Sequence, residues 1–124
     1  MANPGLIKTF TAEATVAPYR IVKHGSADTN AVPASAVTDS MIGVSGQVQG
    51  DITKRVDVTM SDIAEVELGG TVTRGDWLTS DANGKAVTAA PAAGTNNNVI
   101  GRAMASGVLG DIAPVFLAQN RIQG

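Results

Sequence analysis

The sequence predicts an all-β fold: a small single-domain β-barrel or β-sandwich with short strands, glycine-rich turns and a flexible N-terminal arm. Short runs of alternating apolar residues are separated by turn residues at roughly ten-residue spacing, a pattern typical of small barrels and sandwiches. The 3.6-residue periodicity of amphipathic helices is absent. Hydrophobic residues make up 44% of the chain but aromatics only 3%. The core must therefore consist mainly of Val, Ile, Leu, Met and Ala.

The 124 residues fit one domain with an arm. We expect residues 1–10 to form the N-terminal arm and residues 11–124 to form the β-domain. Met1–Gly5 contains the turn pair Pro4-Gly5 and carries no apolar anchor of its own. Such an arm could add a strand to the sheet of a partner, and a frayed terminus is an equally good interpretation.

The first half of the chain contains the signals of several short strands. Loose alternation over Leu6–Lys23 fits two strands interrupted near Pro18. His24–Asn30 has the composition of a turn, and Pro33 favours an edge position for any strand that contains it. Further strands are predicted over Met41–Val48, around Val56 with Ile52 and Val58 on the same parity, and around Val66, flanked by Ala64 and Leu68.

A β-hairpin is the strongest local prediction in the second half. The sequence Gly69–Val87 reads as a turn, a strand, a two-residue turn at Asn83-Gly84 and a returning strand. An Asn-Gly pair suits a hairpin turn because both central positions then take a positive φ. Pro91–Asn98 is predicted to be a loop. Val99–Met104 and Ile112–Leu117 are the last two predicted strands.

A weak internal similarity links the two halves. Ile42-Gly43 is followed by Gly50-Asp51-Ile52, and Ile100-Gly101 is followed by Gly110-Asp111-Ile112. Each segment reads as strand, glycine turn, strand. Recurrent turn chemistry, as in any β-protein, is the favoured explanation, and a true duplication is the alternative.

The overall composition argues against several classes of partner. Nine basic and eleven acidic residues give a net charge of −2, and neither nucleic acid nor an anionic membrane surface suits such a chain. The sequence contains no cysteine, which excludes disulfides and thiolate metal sites. No apolar run approaches the roughly 20 residues of a membrane helix, and Met1–Gly5 lacks the features of a signal peptide. We therefore expect synthesis in a host cytoplasm without a signal peptide.

No combination of residues predicts an enzyme, and we expect no catalytic residue, cofactor or metal. The single histidine, His24, lies in a predicted turn beside Ser26 and Asp28, and neighbours in one loop do not make a catalytic triad. Asp81 and Asn83 resemble the start of a calcium loop, but the terminal glutamate is missing. Glu65 and Glu67 share one face of a strand, which we interpret as a solvated face that discourages edge pairing.

Few residues have the character of a binding surface. Arg74-Gly75-Asp76 matches the tripeptide of integrin ligands, and entry into a strand is the favoured interpretation. Trp77 and Tyr19 could each anchor an interface, because aromatic side chains dominate binding hot spots. With so few large side chains in the chain, we expect Trp77 to lie in the core. The binding surface is then expected in the arm and the loops.

Five ordered segments of the chain resemble the small capsid decoration, or cement, proteins of tailed phages. They span most of the chain after residue 10, and their order and spacing are similar to those of the family, although each segment alone is unspecific. The segments are Tyr19–Ser26, Ile42–Val44, Arg74–Asp81, Gly84–Val87 and Ile100–Met104.

The resemblance implies a structural virion protein on the exterior of an assembled phage capsid, where it binds the major capsid protein and stabilises the head. It also implies a homo-oligomer, with a trimer favoured, and it brings no enzymatic residues. The candidate capsid contacts are those of the arm: Asn3, Pro4, Leu6, Ile7 and Phe10. The alternative is a non-catalytic surface module that binds carbohydrate or a receptor on a virion, for which only Tyr19 and Trp77 offer aromatic side chains.

Overall fold

A computed structural model describes residues 6–123, which form ten β-strands and no helix, so the all-β prediction is confirmed. No helix in these residues is long and apolar enough to cross a membrane. The strands are β1 (Ile7–Ala12), β2 (Ile21–His24), β3 (Asn30–Pro33), β4 (Met41–Ser45), β5 (Arg55–Thr59), β6 (Ile63–Glu67), β7 (Trp77–Ser80), β8 (Ala86–Thr88), β9 (Asn96–Ala103) and β10 (Ile112–Gln123).

The first five strands close into a barrel. Their order is β1-β3-β2-β4-β5, and β5 returns to pair with β1. All neighbours are antiparallel except β1 and β3, which run parallel. Mostly small side chains fill the interior, because a barrel of only five strands encloses little space. The buried interior residues are Phe10, Ala12, Val16, Val22, Ala31, Val56 and Val58.

The other five strands form a second sheet in the order β6-β10-β9-β7-β8. The sheet curls until its two outer strands meet, where Leu68 and Ala86 form a parallel bridge. Strand β10 is the longest, with 12 residues, and an irregularity in its pairing with β9 lies between Leu117 and Asn120.

The second sheet repeats the barrel strand by strand, with an offset of 55 to 58 residues. In each half the first strand pairs antiparallel with the fifth, and Phe10 opposite Val56 corresponds to Val66 opposite Ala113. The parallel contact of β1 with β3 corresponds to the bridge between β6 and β8. The two halves therefore share one topology and one register.

The bonds of the connecting turns are also repeated. The antiparallel bridge between Val16 and Gly50 corresponds to the bridge between Val72 and Gly107. The pair of hydrogen bonds Ala12 N to Lys54 O and Thr53 N to Ala12 O, each 2.8 Å, recurs around Leu68 at 2.8 and 2.9 Å. Such agreement in hydrogen bonds exceeds what recurrent turn chemistry requires. It favours the internal duplication, the less favoured of the two interpretations of the sequence. The register differs from that of the sequence similarity, because Gly50 is equivalent to Gly107 and not to Gly110.

The two halves pack into one core. Ile21, Met41 and Val44 from the barrel belong to the same buried cluster as the interior of the second sheet. Ile21 N donates to Gly84 O at 2.8 Å, and the side-chain amide of Gln119 donates to the carbonyls of Ile42 and Met60 at 3.0 and 2.9 Å. The outer side of β2 and β4 is therefore an interior surface of the molecule.

The N-terminal boundary predicted at residue 10 falls inside a strand. Residues 7–10 belong to β1 and pair with β5, and the Phe10 side chain is only 3% exposed in the barrel interior. This part of the predicted arm was wrong, because alternating apolar residues found a partner strand within the chain. Residues 1–5 lie outside the described part.

Three local predictions also differ from the structure. Ile52 lies in a turn, since β5 begins only at Arg55. Asn96–Asn98 begin strand β9 and are not part of a loop. Pro33 ends β3, which lies between β1 and β2 in the closed barrel and is not at an edge.

The hairpin of β7 and β8 is confirmed, but its connection is longer than two residues. Ser80 pairs with Ala86, and the loop between them is closed by Asp81 N donating to Lys85 O at 2.9 Å. Of the Asn83-Gly84 pair only Gly84 has a positive φ, 79°. Its backbone lies against the carbonyls of Ile21 and Ala34, so the loop forms part of the junction between the halves.

Candidate interaction surfaces

Two equivalent turns expose apolar side chains to solvent. We call them the apolar loops: residues 46–54 between β4 and β5, and residues 104–111 between β9 and β10. Ile52 and Leu109, which occupy equivalent positions, are 56% and 65% exposed. Val48, Met104 and Val108 are also exposed on these loops. Exposed apolar residues in turns lower solubility without helping to form the turn, so they mark a candidate contact surface.

Both apolar loops hold their tips by the same backbone geometry. The residue after each tip side chain has a positive φ: 69° at Thr53 and 90° at Gly110. Lys54 N donates to Asp51 O at 2.8 Å, and Asp111 N donates to Val108 O at 3.0 Å. The tips are therefore ordered structures that present their side chains in a fixed direction.

One apolar loop adjoins a residue that the sequence placed among the capsid contacts. Ile7 and Val48 line a surface cleft of about 430 Å³, together with Arg55 and Asp57 of β5. Ile7 is 48% exposed and Leu6 is 58% exposed. Ile7 and the first apolar loop therefore form one continuous surface.

The other predicted capsid contacts are Phe10, Asn3 and Pro4. Phe10 points into the barrel and offers no contact surface, because its side chain is buried and its ring lies edge-on to the His24 ring with 6.3 Å between the ring centroids. Asn3 and Pro4 lie outside the described residues.

A second candidate surface is a row of side chains across the outer side of the second sheet. We call it the second outer row, and its members are joined by strand register: Ile63 opposite Phe116, Phe116 opposite Arg102, and Arg102 opposite Trp77. Side chains directly opposite each other lie on the same face of a sheet. Phe116 is 52% exposed and Arg102 is also exposed, so this row is open to solvent.

The prediction that Trp77 lies in the core was wrong. Its side chain is only half-buried, and the Arg102 guanidinium lies 5.2 Å from the centre of its ring. Small apolar residues fill the interior without it, since its inward-facing neighbour Leu78 is fully buried. Tyr19 lies in the turn before β2, half-buried and with a positive φ of 60°.

Of the residues considered for catalysis, Ser26 takes part in hydrogen bonds that hold a turn. The Ser26 hydroxyl and backbone N–H both donate to the Glu13 carboxylate, which also accepts from Asn30 at 3.0 Å. The bonds from Ser26 and Asn30 hold the pKa of the Glu13 carboxyl below its ordinary value. His24 ends β2 at the surface. Ser26 is thus bonded to Glu13, and His24 is in contact with Phe10.

The acidic residues considered for metal binding or adhesion also close turns. Asp81 Oδ1 accepts from the N–H groups of Asn83 and Lys85 at 2.8 and 2.9 Å. Asp76 Oδ2 accepts from Thr73 N and the Thr88 hydroxyl, each at 3.0 Å. Within residues 6–123 no three His, Cys, Asp or Glu side chains are grouped as metal ligands.

Glu67 forms ion pairs, so the prediction that it lies on a solvated face was wrong. Its carboxylate lies 3.3 Å from Arg20 Nη2 and 3.2 Å from Lys85 Nζ. Partial burial alone would raise the pKa of Glu67, but the Lys85 hydrogen bond and the charges of Arg20 and Lys85 outweigh it and lower the pKa. These pairs join the turn before β2, the end of β6 and the hairpin loop.

The apolar loops were missed as a surface when only the sequence was considered. Ile52 was assigned to a strand by its parity with Val56, and Val108-Leu109 was not singled out. The sequence feature that could have identified the apolar loops is an apolar residue inside a glycine turn. It occurs as Gly50-Asp51-Ile52 in the first half and as Val108-Leu109-Gly110 in the second.

Comparison with known proteins shows a similarity of fold to a solved structure. No protein-family model and no curated protein matches the chain. Among solved structures, the head fiber gp8.5 N base of bacteriophage phi29 is similar, with a TM-score of 0.71 and 19% sequence identity. The likeness covers 96% of this chain and 98% of that chain. The whole described architecture, both halves together, therefore occurs in a phage head fiber base.

Proposed function

We propose that the protein is a structural component of a phage virion, a decoration protein that binds the outer surface of the assembled head and stabilises it. The observation that carries the proposal is the likeness of fold to the phi29 head fiber base over nearly the full length of both chains. The ordered sequence segments that resemble phage decoration proteins support it independently. The proposed partner is the major capsid protein, and the proposed location is the capsid exterior.

The apolar loops are the surface that we assign to capsid contact. They belong to equivalent positions of the two halves, and they expose Ile52 and Leu109 on ordered turns. Ile7 extends the first of these surfaces through the shared cleft. Burial of one such side chain contributes about 1.5–3 kcal/mol. A protein molecule that exposes several such side chains can bind a capsid without a deep pocket.

The chemistry of the described residues supports a non-catalytic role. Ser26, Asp76 and Asp81 each form hydrogen bonds that close turns. Arg102 lies over the ring of Trp77 and covers one of the two faces on which a sugar could stack. We accordingly propose a protein that is not an enzyme and needs no cofactor.

A homo-oligomer, with a trimer favoured, is part of the proposal because many copies on a lattice gain avidity.

The direct test uses undecorated phage heads and the purified full-length chain. We expect the protein to sediment with the heads and to raise the temperature at which they release DNA. The double variant Ile52→Thr and Leu109→Thr should weaken head binding at least about tenfold, because two exposed anchors are lost.

Ile112→Thr provides the matched control, since Ile112 is also exposed but lies on β10, outside the apolar loops. Its head binding should equal that of the wild type. Failure of the wild-type protein to sediment with any head would refute the proposed function. Equal binding of the double variant and the control would remove the apolar loops from the contact surface.

A further inference from the structure

The cleft beside the first apolar loop has a glycine in its wall. A Cβ on Gly46 would meet open space, because the nearest atom outside the adjoining residues is Asp57 O at 3.9 Å. A side chain at position 46 would therefore extend into the cleft, and the glycine keeps the cleft open. The residues that line it are Ile7, Gly46, Gln47, Val48, Arg55, Val56, Asp57 and Thr59.

The fold itself does not require a glycine at this position. Gly46 is not among the glycines with a positive φ, the conformation that side chains disfavour. Its N–H donates to Asp57 O at 3.1 Å, a bond that any residue except proline can form. The absence of a side chain at position 46 is therefore explained by the open cleft and not by the backbone.

The second half carries a large apolar side chain at the equivalent position. Met104 N donates to Pro114 O at 3.1 Å, just as Gly46 N donates to Asp57 O, and each bond directly follows the paired residues of the fourth and fifth strands. Met104 is 44% exposed. The duplicated unit thus accepts a methionine at this position, and the first half has an open cleft where such a side chain would begin.

The polar groups of the cleft suit a polypeptide. The Thr9 hydroxyl donates to Asp57 Oδ1 at 2.7 Å and fixes a carboxylate that can still accept from a main-chain N–H. Arg55 is exposed, and within residues 6–123 it forms no ion pair, so its guanidinium can donate to a main-chain carbonyl. Apolar walls with a donor and an acceptor beside them match a side chain together with the main chain that carries it.

We infer that the cleft binds one apolar side chain, of about the size of methionine, from an exposed segment of the major capsid protein. The exposed side chains of Ile7 and Val48 pack against it, and Gly46 leaves the space that it enters. A side chain inserted into a pocket with further contacts around it is the arrangement typical of a binding hot spot. This contact is part of the capsid-binding surface proposed above and rests on the proposed function.

The first test fills the cleft with a side chain of the chain itself. Gly46→Met should keep the melting temperature of the wild type, because the second half already carries methionine at the equivalent position. It should raise the dissociation constant for undecorated heads at least about tenfold, because its side chain competes with that of the capsid protein. Gly70→Met is the matched control, since its Cβ would also meet open space, with Val87 Cγ1 at 4.0 Å, and it lies outside the cleft and the apolar loops.

The control variant should bind heads like the wild type. Equal or tighter binding by a folded Gly46→Met overturns the inference. Failure of the wild type to bind heads is a different result, because it refutes the proposed function itself.

A photo-cross-link identifies the occupant without relying on Gly46→Met. The chain contains no cysteine, so Val48→Cys provides a single thiol for a benzophenone label at the cleft. On decorated heads we expect a product with the major capsid protein, located by mass spectrometry. Asp28→Cys, in an exposed turn that does not line the cleft, should give no such product. A product of the Val48 label with a second copy or with residues 1–5 alone, or equal capsid yields from both labels, overturns the inference.

Discussion

Two strand glycines are required by the close approach of neighbouring backbone. A Cβ on Gly43 would overlap the carbonyl oxygen of Thr59, and a Cβ on Gly101 would overlap the carbonyl oxygen of Phe116. Thr59 and Phe116 are themselves equivalent residues, so the same contact has been kept in both halves. The fifth strand of each unit can lie where it does only because the fourth strand carries a glycine there.

Substitution at either glycine should therefore destabilise the fold. We expect Gly43→Ala and Gly101→Ala each to lower the free energy of unfolding by about 1–3 kcal/mol, because the backbone must shift to admit the methyl group. Urea denaturation monitored by circular dichroism gives the value. Gly46→Ala is the control, since the nearest atom to its new Cβ would be Asp57 O at 3.9 Å. Equal stability of the three variants would contradict the close approach.

Positive φ angles show why the two halves resemble each other so little in sequence. The second half uses Gly75 and Gly110 at two left-handed positions, with φ of 95° and 90°. The first half has Tyr19 and Thr53 at the equivalent positions, with φ of 60° and 69°. Neither residue type signals a left-handed turn, since the β-carbon disfavours that conformation. The duplication is therefore visible in hydrogen bonds and only faintly in sequence.

Among the elements, the hairpin loop of residues 81–85 connects the two halves. Asp81 organises it through two backbone N–H groups, and Arg20 Nη1 donates to Asn83 O at 3.0 Å. The buried Gly84 then meets β2. The Asn-Gly pair correctly indicated a turn, but its length was set by the Asp81 side chain and by the packing of Gly84 against the barrel.

Loss of the Asp81 carboxylate should loosen this loop. We expect Asp81→Ala to cost about 1–3 kcal/mol, because two backbone donors lose their partner. The amide protons of Asn83 and Lys85 should exchange with solvent faster than in the wild type, as followed by NMR. Asp28→Ala, in an exposed turn of the barrel, serves as the control. Unchanged exchange at both amides would show that the loop is held by the junction alone.

The sequence predicted strands better than it predicted surfaces. Alternation located the cores of β5, β6 and β10, because inward-facing residues such as Val58, Val66 and Val115 are apolar in a two-residue period. The same pattern could not reveal that Ile21 and Val44 point outward yet are buried, since periodicity within a strand carries no information about a second sheet. For the same reason Trp77 was assigned to the core by its size alone.

At the scale of the whole molecule, the two halves should behave as one cooperative unit. They share a buried cluster, and Gln119 and Gly84 bond across the junction. We expect a single calorimetric transition whose measured enthalpy equals the van't Hoff enthalpy. Ile21→Ala should lower the stability of both halves together by about 2–5 kcal/mol, because it opens a cavity at the junction.

The exposed Val48 offers a control for that experiment, since Val48→Ala removes an apolar side chain without touching the shared cluster. The temperature of its unfolding transition should stay near that of the wild type. Two resolved transitions in the wild type, or a shift of only one half in Ile21→Ala, would show that the barrel and the second sheet unfold independently.

The apolar outer side of β2 and β4, which the second sheet covers, has a consequence for synthesis on the ribosome. Ile21, Met41 and Val44 leave the ribosome with the barrel, but the strands that cover them end some sixty residues later. At translation rates of about 5–20 residues per second, the nascent barrel exposes this apolar patch for about 3–12 seconds. During that interval the patch is open to chaperones or to the barrels of neighbouring nascent chains. The order of the two halves along the chain thus sets a period in which the patch is unprotected.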